Sequence, residues 1–162
     1  MNHDITNMEC RVKTDPGLIL MRDFSYFQYH FIAVYSLAYE ILSEKNITSI
    51  EELITLSVED LISFLPKNKN ISHYARSTNI PKKFDLYLVH INCENPIMQI
   101  FKGVAVAIVL AVIFSGGKIE ISSNGIKAEL PPLGDGIRSI KEAFKGDLQN
   151  IDLKKQIKQD SK

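Results

Sequence analysis

The sequence predicts an α+β fold: a small sheet covered by helices, then one long apolar helix, then a C-terminal β-hairpin plus helix. Three observations carry this. Apolar residues recur at helical spacing over residues 24–42, an apolar run fills residues 95–117, and residues 118–130 alternate around a turn signal. At 162 residues the chain is one domain, or one domain with appendages. Composition divides it into an α+β part (1–94), an apolar oligomerisation or transmembrane helix (95–117), and a hairpin, short helix and charged tail (118–162).

Residues 8–14 read as a short strand closed by Asp15-Pro16-Gly17, a strong turn signal. Residues 18–21 form a second strand or the lead-in to a helix capped by Asp23. That helix places Phe24, Phe27, Phe31, Val34, Ala38 and Ile41 on one face, a packing surface rather than an aromatic ligand box. Ser49 with Glu52, and Ser57 with Asp60, have the spacing of capping boxes and open two short helices that Pro66 ends. Residues 84–92 carry the β-branched and aromatic content of a strand, expected to pair with the Cys10 strand. Near the C-terminus, Asn124-Gly125 suggests a type I′ hairpin with Ile119, Ile121, Ile126, Ala128 and Leu130 on one face and Glu120 opposite Glu129. Asp135 then caps a helix faced by Ile137, Ile140 and Phe144 and stopped by Gly146, and residues 150–162 are expected to fray.

The apolar run is the most distinctive stretch. Asn95 is a good N-cap, Pro96 suits the first helical turn, and Gly116-Gly117 supply a left-handed stop. About twenty helical residues would reach about 30 Å, the thickness of a bilayer's hydrocarbon core. Gln99, Gly103, Ala107, Ala111 and Ser115 recur every four residues as a stripe suited to helix packing or to lining a pore, with Lys102 beside it. Lys102 and Gln99 count against a lipid-facing helix, since a charge at mid-membrane costs a few kcal/mol. Two readings stay open: a membrane-inserted helix, or one buried between subunits of a soluble oligomer. The lysines flanking the run do not set an orientation.

Charge and cysteine content exclude several classes. Nineteen basic and nineteen acidic side chains give a net charge of zero, so charge-based recognition must be local. Two cysteines, Cys10 and Cys93, are too few for a disulfide framework and lack metal spacing. The polar start carries no secretory signal pattern. His3, His30, His73 and His90 show no ligand spacing, and no nucleophile elbow, Walker loop or dinucleotide fingerprint appears. The expectation is a non-enzymatic protein with no cofactor and no metal.

The strongest local charge cluster is the loop 67–83. Lys67, Lys69, Arg76, Lys82 and Lys83 stand there without an acidic residue, alongside His73 and Tyr74 as stacking surfaces. Cations for a phosphodiester backbone and rings for a base suit a nucleotide or short single-stranded nucleic acid.

The layout also resembles a loose family of small bacterial proteins encoded near anti-phage systems. The resemblance rests on VKTDPG, on MRDFSYF, and on LVHINCENP followed by an apolar helix ending in SGG. Within that group its layout resembles channel-forming effectors of the Hailong type, held closed by nucleic-acid oligomers. The resemblance implies a homo-oligomeric inner-membrane channel or pore former with a cytoplasmic domain, gated by a nucleotide or short nucleic-acid ligand. The alternative is a cytoplasmic, soluble oligomeric binding or adaptor module.

Overall fold

Strand β1 (Met8–Lys13) sits near the middle of a six-stranded mixed sheet. In this computed structural model, residues 8–13, 20–65, 67, 69–77, 79–92, 97–148 and 151–159 are described. The sheet order is β2-β3-β1-β5-β4-β6, with β2 (Tyr87–Asn92), β3 (Met98–Gly103), β4 (Lys118–Ser122), β5 (Gly125–Glu129) and β6 (Ile157–Gln159). β1 runs antiparallel to β3 and parallel to β5. The α+β expectation holds, with a larger sheet than expected. The pleat separates two faces. Cys10, Val12, Gln99, Phe101, Ile119, Ile126, Ala128 and Ile157 are buried, whereas Arg11, Lys13, Lys102, Lys118, Glu120, Lys127, Glu129 and Lys158 are exposed.

The buried face is covered by α1 (Met21–Glu44), α5 (Ala105–Phe114) and α6 (Leu133–Phe144). Around them lie the short helices α2 (Ile50–Thr55), α3 (Val58–Phe64), α4 (Ile71–Ala75) and α7 (Leu153–Gln156). α1 forms where the period of 3.6 predicts it and buries Phe27, Phe31, Val34, Ala38 and Ile41. Its N-cap is Leu20, and Asp23 lies in the first turn instead. Ser49 and Ser57 cap as expected, accepting from the amides of Glu52 and Asp60 at 3.1 Å each. α6 likewise begins earlier than expected, after Pro132. Asp135 falls in its first turn and meets Arg138 at 2.7 Å.

The long apolar helix is corrected. Residues 98–103 form β3, and the helix that follows has only ten residues, about 15 Å of rise. No described helix is long and apolar enough to cross a membrane. The reason lies in a change of period. Gln99, Phe101 and Gly103 point inward while Lys102 is exposed, which a strand accommodates and a core helix does not. Gly103 ends the strand where Tyr35 crosses it, since a Cβ there would lie 2.8 Å from the Tyr35 hydroxyl. Asn95 and Pro96, the expected cap, lie outside the described residues, as do Asp15-Pro16-Gly17, Pro66, His3 and Cys93.

Every residue of α5 is buried, enclosed by the sheet and by α1, α2 and α6 of the same chain. The packing stripe is therefore dissolved. Gln99, Lys102 and Gly103 belong to β3, while Ala107, Ala111 and Ser115 face the chain's own interior rather than another copy. Gly116-Gly117 do end the helix, in a Schellman arrangement: Gly116 at φ 77°, its amide on the Ile113 carbonyl, and the Gly117 amide on that of Val112, both 2.9 Å.

The Cys10 strand pairs with β3 and β5, not with β2 as expected, because the 98–103 strand intervenes. In the hairpin the turn residues are Ser123 and Asn124, and Gly125 carries the positive φ of 116°. This shifts the expected register by two, so the faces are kept and Glu120 meets Lys127 instead of Glu129. The C-terminal segment does not fray over 151–159. Gln156 clamps it by donating to the carbonyls of Gly117 (2.9 Å) and Ile113 (3.3 Å).

Gln99 is fully buried, and its Oε1 accepts from Gln28 while its Nε2 has no partner among the described residues. An orphaned buried donor costs about 1–3 kcal/mol. Gln99→Met keeps the side-chain length and leaves the half-buried Gln28 to solvent. It is expected to raise stability by about 0.5–2 kcal/mol, read as a higher urea midpoint with unchanged slope. A loss above about 1 kcal/mol would mean that the amide has a partner, such as a bound water.

Candidate functional site

The uncovered face of the sheet carries a cationic concavity. Its volume is about 530 Å³, and Arg11, Lys13, Lys118, Lys127, Lys155 and Lys158 line it together with Glu120 and Glu129. Six cations against two carboxylates leave four net positive charges, in a chain whose total is zero. Each strand contributes through its pleat. One row crosses the whole sheet in register: His90, Ile100, Arg11, Lys127, Glu120, Lys158. A second row runs Met98, Lys13, Glu129, Lys118.

The charges of the second row alternate in sign. Those of the first row do not. Arg11 and Lys127 are direct cross-strand neighbours, a like-charge pairing that destabilises a sheet. An anion between them would reverse that cost. Among the described residues Arg11, Lys13, Lys118, Lys127 and Lys158 form no ion pair, whereas Lys155 pairs with Asp152 at 3.5 Å. Lys155 and Lys158 reach the concavity because buried Leu153, Gln156 and Ile157 dock the C-terminal segment against β4 and the end of α5.

The loop expected to bind ligand is divided. Tyr74 is buried, donates its hydroxyl to Glu40, and meets the Phe144 ring edge-on at 5.5 Å. Burial, then the bond to Glu40, raises its pKa above the ordinary tyrosine value. Lys69 pairs with Glu40 at 3.6 Å and lies over the Tyr74 ring at 5.4 Å. These two residues tie α4 to α1 and α6. His73 and Arg76 are exposed and line a shallow depression of about 430 Å³ with Asn70, Ser72, Ser77 and Asn79. Lys67 is exposed elsewhere, and Lys82 and Lys83 sit in a 3₁₀ turn outside that depression, with Lys83 over the Phe84 ring at 4.6 Å.

Two groups suited to covalent or acid–base chemistry, Cys10 and His30, are buried. Cys10 is buried, which pushes its thiol up to about 12. His30 is buried against Tyr26 and Tyr29, with Nδ1 2.8 Å from the Tyr26 carbonyl, and desolvation lowers its pKa. Among the described residues no group of three or more His, Cys, Asp and Glu is placed to hold a metal ion. The arrangement is a surplus of cations on the open face of an α+β scaffold. No protein-family model matches the chain, and neither a curated protein nor a solved structure matches it.

Proposed function

We propose that this chain is a non-catalytic binding module that holds a short nucleic-acid strand against the open face of its sheet. The observation that carries the reading is the convergence of six cations from three strands and the C-terminal segment on one concavity. Strands lie about 4.8 Å apart, so the six-stranded face is about 24 Å across, room for several nucleotides. Binding is favoured over channel formation because α5 is enclosed on all sides and presents no face to lipid.

Reversing two charges tests the site. Arg11→Glu with Lys127→Glu is expected to weaken oligonucleotide binding at least tenfold. Four net cations predict that wild-type affinity falls roughly 50-fold between 50 and 200 mM salt. Arg76→Glu with Lys82→Glu, in the loop, is expected to leave affinity within about twofold. If the loop pair abolishes binding and the sheet pair does not, the ligand sits on α4. Fluorescence anisotropy of a labelled oligonucleotide distinguishes these outcomes.

A further inference from the structure

We infer that the β2–β3 end of the open face is a base-stacking subsite, built by Tyr87 and His90 around Ile100, and that the ligand is a single strand rather than a duplex. This rests on the reading of the open face as a nucleic-acid site. A duplex hides its bases and offers a protein mainly phosphates, for which the cations over β1, β5, β4 and β6 would suffice. A single strand also offers ring faces, which bind aromatic side chains on a sheet. Here the face divides into both kinds of surface. Beyond Arg11 the same row continues into half-buried Ile100 and exposed His90, while Met98 and Tyr87 flank it in the neighbouring rows.

The strand is built to present both rings. Tyr87 and His90 are three residues apart, a spacing that puts two side chains on opposite faces of a regular strand. The register shifts between Leu88 and His90, leaving Val89 as the extra residue of a bulge. Tyr87 therefore aligns with exposed Lys102, and His90 with Ile100, both on the uncovered side. Without the bulge His90 would turn toward the helices. Bulges re-aim side chains in this way beside binding sites. The Tyr87 hydroxyl donates to the Lys82 carbonyl at 2.8 Å, so the ring is held while its residue stays 49% exposed. Holding it in advance lowers the entropy lost when a base stacks.

The experiment compares three probes: a labelled single strand of about ten nucleotides, the duplex of the same length, and inorganic polyphosphate as competitor. Wild-type protein should prefer the single strand to the duplex by about tenfold or more. Tyr87→Ala with His90→Ala should weaken single-strand binding by about tenfold or more and leave polyphosphate affinity unchanged, which also verifies the fold. Tyr87→Phe, which keeps the ring, should bind nearly as wild type. Equal affinity for duplex and single strand, or an undiminished double variant, overturns the subsite while leaving the anion site standing. Failure of all three probes to bind overturns the anion site and the subsite together.

Discussion

Ile108→Asp is expected to unfold the protein. Ile108 lies at the centre of α5 with no exposed surface, and its helix neighbours from Ala105 to Phe114 are buried on every side. All ten residues of the helix around it are apolar, and burying an unpaired charge costs far more than burying a satisfied one. The penalty is at least about 5 kcal/mol, comparable with the whole stability of an ordinary domain. Ile108→Val, which removes one methyl group from the same place, should cost only about 0.5–1.5 kcal/mol. Circular dichroism and urea denaturation of the pair separate charge from volume. A cooperatively folded Ile108→Asp protein with a native midpoint would overturn the enclosure of α5.

That buried helix also shows where the sequence is legible and where it is not. α1, the two serine caps and the inward face of the hairpin follow local rules: a period of 3.6, a side-chain oxygen three residues before an amide, a period of two. Such signals survive in one dimension. The boundary between β3 and α5 does not, because both sides are apolar and only the period changes at Gly103-Val104. Lys102 was the clue. A cation in mid-run is a defect in a continuous helix and ordinary on the outer face of a strand.

The candidate site was hidden for a different reason. Charge scanned along the chain finds the loop 67–83, where the cations are contiguous. The open face draws instead on Arg11 and Lys13, then Lys118 and Lys127, then Lys155 and Lys158, which are far apart in sequence. Only the parallel pairing of β1 with β5 and of β4 with β6 brings them together. Alternation places each of them outward, but it cannot say which strands are neighbours.

Tyr35→Phe is the second substitution with a large expected cost, at the junction where β3 becomes α5. Tyr35 is fully buried on α1. Its hydroxyl donates to the Phe84 carbonyl at 2.5 Å and accepts from the Val104 amide at 3.0 Å, joining α1, the 3₁₀ turn and the start of α5. Burial raises its pKa well above the ordinary tyrosine value, so the hydroxyl stays protonated and can donate. Removing the oxygen leaves a carbonyl and an amide without these bonds, at about 1–3 kcal/mol for each unsatisfied group. A loss of about 2–4 kcal/mol is expected in urea denaturation, whereas Tyr74→Phe, whose partner Glu40 is partly exposed, should cost under about 1 kcal/mol. The same oxygen fills the space beside Gly103, 2.8 Å from where a Cβ would stand. Gly103→Ala should therefore be costly in the wild type and less costly in the Tyr35→Phe background, a coupling that a double-mutant cycle measures. Strict additivity of the two substitutions would mean that the hydroxyl neither occupies that space nor closes the junction, and that the glycine is required by the Tyr35 ring carbon at 3.3 Å or the Asp85 carbonyl at 3.4 Å instead.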